Sequence, residues 1–164
     1  MASNMLLKLD TIDGESTDAV HAGEGWIEIL SWSHGFTQPT TPVRASSGST
    51  TEMCNHSDVS VTKYLDKATD QILNKVWSGK QLAEAHIECY RSDGNNNPVK
   101  YLQIDMEKVI ISNYNISGGG GDVPMENLSL SYGKVTYNYI QYDNEGNPQG
   151  VQPVSHDLTT NEVG

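Results

Sequence analysis

The sequence predicts a mainly β chain carrying one short α-helix. Three observations lead there. Apolar residues recur at every second position in several separate runs. Turn-forming residues such as Asp93-Gly94-Asn95-Asn96-Asn97-Pro98 and Asp143-Asn144-Glu145-Gly146-Asn147-Pro148 punctuate those runs. Helical spacing is found only near residues 69–78. With 164 residues, the length fits one domain large enough to build its own core.

Residues 5–9 place Met5, Leu7 and Leu9 on one strand face. Residues 26–34 place Trp26, Glu28, Leu30, Trp32 and His34 on one face and Ile27, Ile29, Ser31 and Ser33 on the other. Both faces carry large apolar groups, so this strand needs cover on both sides, from the helix or from another subunit. Residues 35–56 are rich in Ser, Thr, Pro and Gly and read as a long loop, a length usually reserved for functional or disordered segments.

The helix is expected over about 69–78. Thr69-Asp70-Gln71 supplies a cap and an acidic first turn. Ile72, Leu73, Val76 and Trp77 make one apolar stripe, and Gly79 with Lys80 ends it. Next, Ala83, Ala85, Ile87 and Cys89 alternate with Glu84, His86 and Glu88. Leu102, Ile104 and Met106 alternate with Gln103, Asp105 and Glu107. Gly118–Gly121 followed by Asp122 reads as a flexible connection. Leu128, Leu130 and Tyr132 then give way to Val135, Tyr137 and Tyr139 in the opposite phase, which predicts a bulge or sharp bend near Gly133. Residues 143–164 read as a polar, poorly patterned tail.

Charge removes several function classes. Ten basic residues stand against 21 acidic ones, for a formal net charge of −11. Without a basic cluster, nucleic-acid partners are not expected. The apolar runs are too short for membrane insertion. The N-terminus shows no basic stretch ahead of an apolar one, so the expected location is the cytoplasm, with any export using another route. Cys54 and Cys89 make no disulfide framework, and Cys89 is expected as a buried thiol.

Chemical motifs are sparse. Cys54-Asn55-His56 is one close Cys/His pair without a second ligand pair, so zinc is not expected, and neither is any other cofactor. No Gly-x-Ser-x-Gly elbow is present. Glu84/Glu88 and Asp105/Glu107 fall on solvent-type strand positions rather than forming an acid/base pair. The glycine run lacks the Lys-Ser/Thr of a phosphate loop. Three tryptophans and eight tyrosines admit a carbohydrate-binding surface, against which stands ordinary packing of core and interface.

Several segments in order carry a resemblance. They are Met5-Leu6-Leu7-Lys8-Leu9, Gly14-Glu15-Ser16, His21-Ala22, Trp32-Ser33 with Gly35, and Thr62-Lys63-Tyr64-Leu65-Asp66-Lys67 with Thr69. Ser78-Gly79-Lys80, Tyr101-Leu102, Gly118–Gly121, Glu126-Asn127-Leu128-Ser129-Leu130, Val135 and Tyr139 follow. Together they span about residues 1–142, which resemble the Hcp (haemolysin-coregulated protein) family of type VI secretion.

The resemblance implies a small β-barrel of two packed antiparallel sheets with one helix, forming a homohexameric ring. Rings stack into a tube inside a contractile sheath, a spike caps the tube, and effector proteins travel in its lumen. It implies secretion without a signal peptide and no enzymatic activity. On that reading Trp26, Ile27, Ile29 and Trp32 are candidate subunit contacts. Gly35, Thr37, Gln38, Ser46, Gly48 and Ser49 are candidates for a ring-stacking loop, and Ser31 and Ser33 for the lumen. Six copies would carry six times −11, about −66, so rings should repel one another at low salt.

Overall fold

The computed structural model describes residues 4–17, 23–39, 54–92, 98–143, 148–150 and 153–164. In chain order the elements are β1 (Asn4–Leu9), β2 (Ile27–Glu28), β3 (Ser31–Ser33), β4 (Phe36–Thr37), β5 (Asn55–His56), β6 (Val59–Tyr64), α1 (Thr69–Ser78), β7 (Leu82–Ser92), β8 (Pro98–Ser117), β9 (Met125–Ser131), β10 (Lys134–Tyr139), β11 (Gln141–Tyr142), β12 (Pro148–Gln149), β13 (Val154–Asp157) and β14 (Glu162–Val163).

β8 organises the fold. Its first half pairs with β7 on one side and β10 on the other, and its second half pairs with β9. One sheet therefore runs β14-β13-β10-β8-β7-β1-β2, and a second runs β8-β9-β6-β3. The crossover falls at Lys108, whose φ of 57° lies in the left-handed region that non-glycine residues seldom occupy. The phase change near Gly133 is a sharp bend: β9 ends on the second sheet and β10 starts on the first. The Gly133 N–H donates to Glu107 O at 2.9 Å. Both hairpins marked by turn chemistry form, with Ser92 opposite Pro98 and Tyr142 opposite Pro148.

Residues 26–34 do not form one strand. The segment divides at Ile29–Leu30, where the Ile29 N–H donates to Met5 O on β1 at 3.1 Å and the Leu30 N–H donates to Thr62 O on β6 at 2.7 Å. β2 thus serves the first sheet and β3 the second. Because single hydrogen bonds, not a continuous ladder, join the sheets there, the expected closed barrel is not formed by these pairings. The fold is mainly β, antiparallel, with one short helix.

The core fills the space between the sheets. Leu7, Leu9, Ile27, Ile29, Val59, Val61, Ile72, Ile87, Ile104, Met106, Leu128 and Leu130 are buried there. A second cluster of Leu6, Trp26 and Tyr90 covers the other face of β1. The helix packs through Ile72, while Trp77, expected on the same stripe, is 79% exposed. Gly79 ends the helix at φ 67°. Ala68, not Thr69, stands at the N-cap and makes no side-chain cap. Asp66 Oδ1 instead accepts from the Ala68 N–H at 3.0 Å. Thr69 points inward, donating to Glu126 Oε1 at 2.6 Å.

Two further readings need correction. Glu88 is not on a solvent face: it is 6% exposed, and it accepts from the Tyr90 hydroxyl and faces Lys100 Nζ at 3.7 Å. The polar, poorly patterned C-terminal region expected as a tail carries strands that join the first sheet. β13 pairs with β10, and β14 pairs with β13, extending the first sheet.

Candidate functional site

The outer faces of the two sheets differ in chemistry. On the first sheet, register places Lys8 opposite His86, His86 opposite Asp105, and Asp105 opposite Thr136. His86 Nδ1 lies 2.6 Å from Asp105 Oδ1, and its Nε2 lies 2.9 Å from Glu84 Oε2. The bond to Asp105 raises the imidazole to about 9; burial opposes this and Glu84 adds to it. Burial pushes Asp105 up, but its bonds with His86 and Gln103 outweigh that and leave it lowered. Lys134 Nζ stands 3.6 Å from Glu107 Oε2. This face is a lattice of compensated charge.

The outer face of the second sheet carries hydroxyls and amides. Ser33 pairs with Ser60, Ser60 with Ser129, and Ser129 with Asn113. The next row is Ser31, Thr62, Asn127 and Asn115. The Thr62 hydroxyl donates to Asn127 Oδ1 at 2.7 Å. Alternation sends Val59, Val61, Leu128 and Leu130 inward, which leaves these eight small polar residues outward. Ser31 and Ser33 are exposed members of this face. The other six were missed in the sequence, although Val59-Ser60-Val61-Thr62 and Asn127-Leu128-Ser129-Leu130 alternate openly.

The remaining candidates separate. Trp26, Ile27 and Ile29 are 8%, 0% and 7% exposed. These three residues are therefore covered inside the chain, while Leu30 of the same segment is 41% exposed. Trp32 is partly buried against the core. Gly35 is fixed to Ser57, whose Oγ accepts from the Gly35 N–H at 2.9 Å. Thr37 pairs with Asn55 at the base of the loop, and Gln38 is exposed beyond it. Ser46, Gly48 and Ser49 lie outside the described residues. Leu30, Tyr64 and Leu65 are exposed beside one another and line a groove of about 390 Å³ with Met5, Leu6 and Ile29.

Both cysteines are free, with Cys89 buried as expected. Among the described residues, no helix is long and apolar enough to cross a membrane. Trp26 in a core cluster and Trp77 alone on the surface supply no joint tryptophan platform for stacking a sugar.

Two antiparallel sheets sharing one kinked strand, flanked by a single helix, are a fold this chain has in common with solved type VI secretion proteins. Residues 6–139 match the family described as Type VI secretion system effector, Hcp, and the chain belongs to the Hcp family. It is 33% identical over 151 residues to Protein hcp1 of Pseudomonas aeruginosa, covering 92% of this chain and 91% of that protein. A solved structure described as a type six secretion system protein superposes with a TM-score of 0.88 at 30% identity, covering 99% of this chain and 100% of the other. Hcp1 from Salmonella typhimurium superposes with a TM-score of 0.79 at 25% identity, with 99% of each chain covered.

Proposed function

We propose that the protein is a non-enzymatic structural subunit of the type VI secretion tube. Six copies close into a ring, rings stack, and the tube is expelled by a contractile sheath with a spike at its tip. The protein is made in the cytoplasm and leaves through the secretion system. Effector proteins ride in the lumen.

The observation that carries this reading is the contrast between the sheet faces. A lumen that must pass cargo of any charge is best lined by groups that hydrogen-bond weakly and carry no charge. The Ser31/Ser33 face meets that description, and the His86 face does not. We place the hydroxyl and amide face toward the lumen. Gly35, Thr37 and Gln38, with Ser46, Gly48 and Ser49 in the same loop, reach the neighbouring ring. Subunit contacts draw on exposed apolar residues such as Leu30, Tyr64 and Leu65, with Trp32 at the edge of the core. Trp26, Ile27 and Ile29 support that edge from inside.

Light scattering on a sizing column, followed by electron microscopy, tests the proposal. Six chains of 18.0 kDa in a ring with an open centre are expected. A strictly monomeric protein at tens of micromolar overturns it. A glycan array read by tryptophan fluorescence tests the carbohydrate-binding alternative, and a tube subunit gives no response.

A further inference from the structure

A line of five hydrogen bonds runs from the C-terminal hairpin into the body of the fold. His156 Nε2 lies 3.0 Å from Asn161 Oδ1. His156 Nδ1 lies 2.7 Å from His56 Nε2. His56 Nδ1 lies 2.6 Å from the Tyr132 hydroxyl. That hydroxyl lies 2.7 Å from His34 Nε2. His34 Nδ1 lies 2.5 Å from the Tyr137 hydroxyl. The line joins β13, β5, the β9–β10 bend, the residue after β3, and β10. None of it contributes to either outer sheet face.

Counting protons shows what the line tolerates. Asn161 Oδ1 can only accept, so His156 Nε2 donates to it and His156 Nδ1 accepts from His56 Nε2. His56 Nδ1 accepts from Tyr132, Tyr132 oxygen accepts from His34 Nε2, and His34 Nδ1 accepts from Tyr137. With three neutral imidazoles, all five bonds hold one proton each. A first added proton is absorbed by reversing the donors between the imidazole that takes it and Tyr137. Protonating both His56 and His156 sets N–H against N–H, and their contact cannot persist.

The surroundings disfavour a charge on His34 and on His56. Burial, then the neighbouring His56, lowers His34. Burial, then His156, lowers His56. Among the described residues no carboxylate is hydrogen-bonded to any of the three. Asp58, between β5 and β6, acts on His34 from a distance while its Oδ2 accepts from the Ser112 hydroxyl. On the other packed strands, Lys134 faces Glu107, and Asp157 accepts from Thr159. Glu162 is exposed on β14, and Cys54 beside β5 lines the same cavity as His56.

Apart from the histidine contact, the hairpin is held by short ladders, by the Leu158 N–H donating to Gly133 O at 2.8 Å and by Leu158 resting on the core. Four residue pairs bind β13 to β10, two bind β14 to β13, and a cavity of about 470 Å³ lies between this hairpin and the β4–β5 ribbon. We propose that His56 and His156 form a proton-released latch. In neutral solution it pins the C-terminal hairpin to the β4–β5 ribbon, and in acid it lets the hairpin go.

Hydrogen exchange of the purified protein at pH 7.5 and 5.0, corrected for intrinsic rates, tests this. Peptides covering residues 154–163 should lose protection by about tenfold or more at pH 5.0, while those covering β8 stay protected. His156→Gln keeps an amide donor and acceptor that does not titrate, so its hairpin should stay protected at both pH values. His56→Phe should leave the hairpin loose at both. Equal protection of the wild-type hairpin at the two pH values overturns the latch. So does acid release that persists in His156→Gln, or acid opening that includes β8. If His56→Phe does not fold, wild type against His156→Gln still decides.

Discussion

Lys63 on β6 and Glu126 on β9 stand opposite each other with Nζ 3.2 Å from Oε1, and both side chains are wholly shut off from solvent. Asp66 Oδ1 takes a second Nζ proton at 2.9 Å, and the Tyr64 carbonyl a third at 3.0 Å. Thr69 donates to the same Oε1, which ties the start of the helix to the second sheet. A buried charge so surrounded is costly to leave alone. Lys63→Met should lower stability by about 3–5 kcal/mol, and Lys63→Met with Glu126→Leu should recover most of it. Denaturant midpoints of the two variants check the pair.

His86 gives an alkaline signature. Its imidazole is raised from 6.5 to about 9, so the folded state binds a proton more tightly than the unfolded one. That contribution is complete below pH 6.5 and is lost as pH rises through about 9. Nitrogen-15 spectra should show a protonated imidazole at pH 7.5. His86→Gln should flatten the fall in unfolding temperature between pH 7 and 10.

Gly14 has a steric reason to be glycine. A Cβ there would stand 2.5 Å from both Ile27 Cγ1 and the Trp26 carbonyl oxygen. The backbone of residues 14–16 lies against that of 25–26, with the Ser16 N–H donating to Trp26 O at 3.0 Å. Gly14→Ala should destabilise by about 1–3 kcal/mol, because backbone must move to admit one methyl group. A thermal shift assay reads this directly.

Ile27, a candidate subunit contact in the sequence, and Trp77, expected on the apolar stripe of the helix, should respond differently to truncation. Ile27→Ala opens a cavity in the core and should cost about 2–5 kcal/mol. Trp77→Ala removes a side chain that is 79% exposed and should change stability by no more than about 0.5 kcal/mol. Urea titrations of both variants separate the two outcomes.

Salt should govern stacking. If six copies close into the proposed ring, each ring carries about −66 by multiplication of the chain's −11, so rings should repel at low ionic strength and approach as the screening length shortens. Sedimentation from 20 mM to 500 mM salt should show longer stacks at the higher end. Stacks that shorten with salt contradict the charge argument.

Much of the fold was legible because alternation survives where one strand face is buried. Leu102, Ile104 and Met106 face as their spacing requires, and the helix occupies 69–78 as expected. Failures arose where burial came from outside the pattern. Residues 26–34 looked as if they needed cover from the helix or from another subunit, but Ile27 and Ile29 are buried in the main core and Trp26 in the small cluster with Leu6 and Tyr90. Glu88 is inside because Tyr90 and Lys100 satisfy it, which no period reveals. The C-terminal strands are short and polar, so ladder bonds to β10 define them. On the candidate lumen face, Ser31 and Ser33 were visible only as two residues. Their partners lie 27 to 96 positions further on along the two cross-sheet rows, from Ser33 to Ser60 and from Ser33 to Ser129, and only the registers bring them together.

β8 has one more effect. Because its 20 residues belong to both sheets, neither layer can melt while the other persists without tearing a single backbone length in two. Lys108 is a corner inside a continuous beam, not a hinge between lobes. The barrier to opening should therefore be common to β8 and the strands laddered directly to it, β7, β9 and β10, which melt in one cooperative transition, while the peripheral C-terminal hairpin can open by itself.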